Sequence, residues 1–467
     1  MRFFFVFCAF FAPLILGVVY YERVLNGYIF LLSLTLYYIF LFVFSFQSFS
    51  NNLFTSFNLF SVMYFGYVVG GFYYSFQLNE FGKFIGFINL SSGEVVRLFE
   101  MSILVIIVGY LFFCLGYGFV KAKIKIPRHL PVMAMDINEI NNKLYATRWM
   151  VVIPLLAVGM YTWYSVAEAT SGGILQSIIY FQAFRHMAEA KGVSTLFYNF
   201  YYAGVYYWLY LILSDENRRI SLIFIFFSIV GMVMNLTQGQ IMAPITFVLS
   251  QVVAVALFRK ESQKKMFIIV FILMALAFLL YFLRIVSNYI FMGKEMLFQD
   301  AIGDFMNKIV GSGNTSDIQQ IAIILSKFDS SSVLLGSTYI DWLRNSFGGF
   351  FGFEPSSVGL ILKELYFPST SGAPTPGALG ELIANFYFLG PFMMFFVGVI
   401  LGLLQIYLNT PYSSIYKFVY SIVLAKFVFL YAKVDSSMLS SLIFMVLPFL
   451  VVVLIHTFLL YKIRLRD

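Results

Sequence analysis

Almost from end to end the chain is divided into apolar runs of roughly twenty residues, the length a helix needs to cross a bilayer. They fall at about 2–20, 27–46, 57–76, 100–120, 149–167, 196–213, 219–236, 240–258, 266–286, 382–408, 415–432 and 438–461. Composition agrees. Of 467 residues, 61% are hydrophobic and 11% charged, where a soluble domain carries roughly 25% charge. A cytosolic enzyme, a nucleic-acid binder and a disordered scaffold are excluded. The expected fold is an all-α polytopic membrane protein of about 12 spans, with residues 1–467 forming one integral membrane domain. The first run opens Met1-Arg2 and continues to Tyr21 with no small-x-small cleavage site. It is expected to be a retained span rather than a signal peptide.

In such a chain the net charge of +8 records orientation rather than affinity for nucleic acid. With the N-terminus inside, the inner segments hold Arg2, Lys121, Lys123, Lys125, Arg128, Lys143, Arg148, Arg218, Arg219, Arg259, Lys260, Lys264, Lys265, Lys417, Lys462, Arg464 and Arg466. The short outer loops keep only Arg23, Lys83, Arg97, Arg185, Lys191 and Lys433. Both termini are therefore expected on the cytoplasmic side. The 58 phenylalanines and 32 tyrosines read as lipid-facing bulk rather than a ligand-binding device. Cys8 and Cys114 lie in apolar segments without CxxC spacing, as small hydrophobes.

Two outer segments break the alternation. Residues 287–381 form a large loop with helical content. Ser316-x-x-Gln319 reads as a capping box, followed by Ile318, Ile321, Leu325 and Phe328 at helical spacing. A loop this long with apolar periodicity is expected to fold. Residues 168–195 form a smaller amphipathic loop, with Ile174, Leu175, Ile178, Ile179 and Phe184 on a roughly helical period, expected to lie along the membrane surface.

The polar residues of these outer segments carry the candidate chemistry. Arg185-His186 is either an interfacial pair reaching for headgroups or an anion contact, with His186 available as a general base. Arg284, ending the ninth span, either snorkels or faces a polar cavity. Arg344 either forms an i,i+3 pair with Asp341 or meets a ligand beside the glycines Gly348, Gly349 and Gly352. Thr375 is a good N-cap and Pro376 a good first helical residue for the tenth span. That places Gly377 at a helix amino end suited to an anion. Glu381 follows within about two turns, either as a charged residue stabilised by the helix dipole or as a proton acceptor for an incoming hydroxyl. No HExxH, Asp-x-Asp, Walker or GxGxxG pattern is present, so no metal or cofactor is expected and any energy for synthesis must arrive in an activated donor.

Gly372-Ala373-Pro374-Thr375-Pro376-Gly377-Ala378-Leu379-Gly380-Glu381-Leu382-Ile383-Ala384-Asn385-Phe386, followed by Gly390, is similar to the Gly-Glu-Leu-aromatic-x-Asn-Phe-Gly pattern that opens the span after the large loop in Wzy-type oligosaccharide repeat-unit polymerases. The segment from Gly336 through Tyr339 to Arg344 is similar to the Gly-x-x-Tyr and Pro-Arg stretch of that loop. With twelve spans and the two outer loops, the chain resembles these O-antigen polymerases of bacterial inner membranes. It departs from them at Gln238-Gly239-Gln240, where an arginine is frequent in the family, and it lacks an arginine-x10-glycine motif.

The resemblance implies a metal-independent polytopic glycosyltransferase joining undecaprenyl-pyrophosphate-linked oligosaccharides at the periplasmic face. It implies contact with membrane lipids and with a chain-length regulator, and no cofactor. On it, Arg185, Arg284 and Arg344 would hold pyrophosphate, with Tyr339, Asp341, Thr375 and Gly377 also on the substrate side. Glu381 or His186 would deprotonate the acceptor hydroxyl. A lipid-linked oligosaccharide flippase and an O-antigen ligase are the rival readings. The lopsided loops and the lack of two related halves argue against the former.

Overall fold

The computed structural model describes residues 36–39, 41–43, 45, 54–67, 92–124, 137–179, 197–215, 217–237, 242–259, 263–291, 318–351, 356–366, 375–408 and 414–464. Throughout these residues the regular structure is helical. Among the described residues six helices are long and apolar enough to cross a membrane, and the chain is an all-α, multi-pass membrane protein. The first expected span lies outside the described residues, and the second is described only in part.

The chain folds as two compact units. The first comprises Met1–Ile126, Met306–Asn409 and Val428–Ser440, the second Pro127–Phe305, Thr410–Phe427 and Ser441–Asp467.

At the centre of the first unit the long helix Ser92–Lys123 packs along Gly390–Leu408. Glycine sets how close they come. A Cβ on Gly116 would stand 1.9 Å from the Phe395 carbonyl oxygen, and one on Gly398 would stand 2.2 Å from that of Phe113. Lipid gives helices no hydrophobic reason to associate, so such close backbone approach is what drives their packing. Around this pair, aromatic residues form the core rather than the lipid face. Tyr38, Tyr64 and Tyr110 are fully buried. Their hydroxyls are satisfied internally: Tyr64 donates to the Ile106 carbonyl at 3.0 Å, Tyr110 to Ser61 Oγ at 3.1 Å, and Tyr38 to the Tyr64 carbonyl at 3.3 Å. The reading of the tyrosines as lipid-facing bulk is corrected here, because a ring with a polar tip can fill a core and also close a hydrogen bond.

The second unit is built on Tyr198–Leu213, buried on every side between Trp149–Ser171, Leu222–Thr237 and Met242–Arg259. Helix Ser414–Val423 packs against Met242–Arg259. Trp149–Ser171 outruns its expected end and stops at Gly172, whose φ of +76° puts it in the left-handed region. The Gly173 and Gly172 amides then return to the Ala167 and Glu168 carbonyls, a C-cap that only glycine adopts without strain. The short helix Ile174–Ile179 follows, within the smaller amphipathic loop.

The large loop does contain helices: Ile318–Lys327, Asp341–Phe351 and Val358–Tyr366. Ile318, Ile321 and Phe328 are buried, as their spacing predicts, and Leu325 is half-buried. Ser316, the other end of the capping box, lies outside the described residues.

The tenth span departs from expectation. It is two helices, Gly377–Phe386 and Gly390–Leu408, joined by a 3-10 turn at Tyr387–Leu389. Tyr387 holds φ +50° and ψ −125°, which no helix accommodates. Pro391, lacking an N–H, then suits the first turn of the second helix. Non-helical backbone at membrane depth is tolerated where protein surrounds it, and residues of the large loop close on this break.

Candidate functional site

The half-helix Gly377–Phe386 is buried from Gly377 to Asn385. Its start does not follow the expected cap. The helix begins at Gly377 with Pro376 in the N-cap position and no side-chain cap, so Thr375 is not the N-cap. Gly377 has φ +69°, and a Cβ there would lie 2.4 Å from the Ala432 carbonyl oxygen and 2.7 Å from the Tyr67 hydroxyl. A carbonyl therefore abuts this helix start, where the sequence suggests room for an anion.

The other end is closed by residues 334–338. The Leu334 and Leu335 amides donate to the Ala384 and Asn385 carbonyls at 3.0 and 3.2 Å. Gly336 N–H donates to Asn385 Oδ1 at 2.8 Å. Leu335 and Gly336 both carry positive φ, 48° and 85°. The left-handed turn thus sets the Leu334 and Leu335 amides on orphan carbonyls that a helix terminus leaves, and the Gly336 amide on the Asn385 side chain.

Within this frame lies Glu381, 1% exposed. Thr338 Oγ1 donates to its Oε1 at 3.0 Å, Ser436 N–H to its Oε2 at 2.9 Å, and Ser436 Oγ also to Oε1. Asn385, one turn on from Glu381, donates from Nδ2 to Thr338 Oγ1 at 2.7 Å and to the Glu381 carbonyl at 2.8 Å. Three donors on one buried carboxylate compensate its removal from water.

Two further buried acids flank it. Asp435, 4% exposed, caps the 3-10 turn Ser436–Met438 by accepting from Ser437 N–H and Oγ, and takes Gly359 N–H on Oδ2. Asp341, its side chain 2% exposed, pairs through Oδ1 with Arg344 at 3.5 Å, while the Arg344 side chain is 51% exposed. This is the i,i+3 pair anticipated for these two. Burial pushes both aspartate carboxyls above the usual carboxylate range. At Asp341 the charge of Asp435 adds to that rise, against hydrogen bonding from Ser356 and the charge of Arg344.

Of the six oxygens on these three acids, Asp341 Oδ2 is buried with no hydrogen-bond donor among the described residues. Two residues before it, the Tyr339 hydroxyl is likewise buried and unpartnered, with its ring stacked on Phe386 at 6.4 Å. Burial first, and the Glu381 charge second, push the Tyr339 hydroxyl upward. Unpaired buried polar atoms are uncommon in folded proteins, and here two stand in one short segment.

The structure thus brings together Glu381, Tyr339, Asp341 and Arg344 of the sequence-predicted residues, all in the first unit. Arg185 and His186 lie outside the described residues. Arg284 is in helix Gln263–Phe291, in the second unit. Sequence reading passed over the roles of Thr338, Asp435 and Ser436. The signal for the last two was present: Asp followed by Ser-Ser before an apolar run is a helix-start pattern. Among the described residues no group of three His, Cys, Asp or Glu side chains is arranged to hold a metal ion. No family model, curated protein or solved structure matches the chain.

Proposed function

We propose that the chain is a metal-independent membrane glycosyltransferase that polymerises undecaprenyl-pyrophosphate-linked oligosaccharide repeat units into O-antigen or a related surface polysaccharide. It has twelve spans, both termini in the cytoplasm of a bacterial cell, and its site at the periplasmic face of the inner membrane. The observation that carries this reading is the pair of orphaned buried polar atoms, Tyr339 Oη and Asp341 Oδ2, beside the anchored Glu381. A sugar hydroxyl is the kind of group that satisfies either one, by donating to a carboxylate or by accepting from a phenol. An acid held above its ordinary range by burial is a suitable general base.

The roles then divide. Glu381, saturated by Thr338 and Ser436, fixes the loop against the half-helix. Asp341 takes the proton of the acceptor hydroxyl as its oxygen bonds to the donor sugar's anomeric carbon and the bond to pyrophosphate breaks. The leaving group's negative charge falls to cations, for which Arg344 is the exposed candidate here and Arg185 and Arg284 the candidates elsewhere in the chain. A chain-length regulator is the expected protein partner.

The broken tenth span favours a second reading, because transporters place substrate and ion sites at half-helices. A flippase for the same lipid-linked oligosaccharide would use Glu381 as a proton site. Deletion separates the two readings. Loss of a polymerase leaves single repeat units on the surface glycan anchor, while loss of a flippase or ligase leaves none. Asp341→Asn at normal membrane level should reproduce the single-unit phenotype. Normal chain lengths in that variant would remove Asp341 from the reaction.

A further inference from the structure

The loop helix Asp341–Phe351 has two faces, and the site described above uses one. Asp341 and Ser346 are buried and Trp342 is half-buried, and the helix packs against the 3-10 turn Ser436–Met438. Ile340, which closes the turn before the helix, is exposed, as are Leu343, Arg344 and Phe347 within it. Their spacing of i, i+3, i+4 and i+7 puts all four on one side of a helix.

The depth of this outward face follows from what the loop is fastened to. Helix Gly390–Leu408 has 19 residues, about 28 Å of rise, close to the roughly 30 Å of a hydrocarbon layer. Gly398 meets the Phe113 carbonyl on one side of that helix. On the other, Phe392, Phe396 and Ile400 are exposed one turn apart, a lipid-facing row. The row reaches back to the exposed Phe388 and Leu389 in the turn that breaks the tenth span. That turn therefore stands at the edge of the hydrocarbon. The loop is held there, by the Leu334 and Leu335 amides on the Ala384 and Asn385 carbonyls and by the Tyr339 ring on Phe386. The turn Ser436–Met438, on which the inner face packs, opens a second membrane-length helix, Ser436–Leu459. Two spans thus begin at the level of the loop helix.

The chemistry of the face fits that level. In water, Ile340, Leu343 and Phe347 would leave an apolar stripe unburied. Leu335 adds to it, 79% exposed on a backbone of φ +48° that leucine seldom adopts. Arg344 suits the same boundary, because its stem can lie along apolar neighbours while its guanidinium reaches phosphates. An apolar stripe carrying a cation is the pattern of a helix lying in a membrane surface.

We propose that helix Asp341–Phe351 lies in the surface of the bilayer, with Ile340, Leu343 and Phe347 among the outermost acyl segments and Arg344 at the headgroup phosphates. The occupant of this face is the phospholipid layer. The proposal stands whether or not the chain polymerises sugars. It places Asp341, on the other side of the same helix, within one helix diameter, about 10–12 Å, of the headgroups.

The test uses the full chain carrying Cys8→Ser and Cys114→Ser, in nanodiscs of phosphatidylcholine and phosphatidylglycerol. A nitroxide is attached in turn at Leu343→Cys, Phe347→Cys, Phe396→Cys and Ser330→Cys. Its collisions with oxygen, which concentrates among acyl chains, are compared with those of a water-soluble nickel chelate. Phe396 calibrates the lipid interior, and Ser330, in an exposed turn, calibrates water. At Leu343 and Phe347 the ratio of oxygen to nickel collisions should exceed that at Ser330 by roughly fivefold or more and fall below that at Phe396, as for a face seated at the acyl boundary. Nickel collisions at the Ser330 level would put the face in water and overturn the proposal. Exclusion of both reagents would overturn it too, since protein, a second copy or another segment, would then cover the face. An unlabelled variant gives an independent reading. Leu343→Asp combined with Phe347→Asp should lower the unfolding temperature in nanodiscs, because it sets two charges against acyl chains. A temperature unchanged or raised would count against the bilayer as the partner of this face.

Discussion

Thr338 Oγ1 stands 3.0 Å from Glu381 Oε1 and gives that carboxylate its hydrogen, while accepting one from Asn385 Nδ2 at 2.7 Å. The hydroxyl is thus both donor and acceptor, and it ties the half-helix to the loop that closes it. Thr338→Val keeps the shape and deletes both bonds. Each buried partner left unsatisfied costs about 1–3 kcal/mol, so the variant should lose about 2–4 kcal/mol. Glu381→Ala should lose at least as much, because it strands Thr338 Oγ1, Ser436 Oγ and Ser436 N–H together. Denaturant titration of the solubilised chain measures both. A Thr338→Val protein as stable as wild type would sink this account of the anchor.

Gly377 offers a sharper steric test. Alanine there would adopt a left-handed backbone costing roughly 1–2 kcal/mol, and its Cβ would meet the Ala432 carbonyl at 2.4 Å. A backbone oxygen has little room to retreat. Gly377→Ala should therefore fail to accumulate in membranes, or unfold at a clearly lower temperature. Gly93, where an added Cβ would meet nothing within 4 Å, is the control: Gly93→Ala in helix Ser92–Lys123 should be neutral or stabilising by about 0.5–1 kcal/mol.

Asp341 and Asp435 make stability depend on pH in a definite direction. Both carboxyls are raised in the folded chain, with burial the leading cause. Their contribution to stability is full below the unfolded carboxyl range near pH 4 and falls as pH rises through the folded values. Asp435→Asn removes one of these charges while leaving an Oδ1 to accept from Ser437. The wild type should thus gain on the variant as pH is lowered from 7 to the unfolded carboxyl range near 4, read as the difference between their unfolding curves. A difference that stays flat over that range would mean that Asp435 carries no such penalty.

How much of this was legible beforehand depended on whether the cause was local. The helical period from Ile318 to Phe328 and the Asp341–Arg344 spacing depend on neighbours in sequence and reappear in the structure, as do six of the twelve expected apolar runs, as membrane-length helices among the described residues. Glu381 stood out because it is a charge at the edge of an apolar run. What escaped were consequences of distant contacts. Ser436 reaches Glu381 across 55 residues and Thr338 across 43, and neither serine nor threonine carries a mark that says whom it will meet. The break at Tyr387 escaped because the apolar run continues straight through it. The core tyrosines escaped because composition does not distinguish a ring facing lipid from one closing a hydrogen bond on a neighbouring helix.

His456 provides the last test, since its tautomer follows from its neighbours. In the second unit Nε2 lies 2.8 Å from Thr147 Oγ1, and Nδ1 is bonded to the Tyr207 hydroxyl. Thr147 uses its own hydrogen on the Lys143 carbonyl, at 2.8 Å. It can therefore only accept from the ring, so Nε2 bears the proton and Nδ1 accepts from Tyr207. Nitrogen-15 shifts of labelled histidine should show the neutral Nε2–H form, with the signal lost in His456→Ala. Tyr207→Phe should free Nδ1 and cost about 1–3 kcal/mol. His456→Ala should cost more, because it strands the Tyr207 hydroxyl and opens a cavity in a position only 4% exposed. In a double-mutant cycle, Tyr207→Phe in the His456→Ala background should be nearly free, since the bond it removes is already gone. Equal costs in both backgrounds would mean the two side chains do not act as a pair.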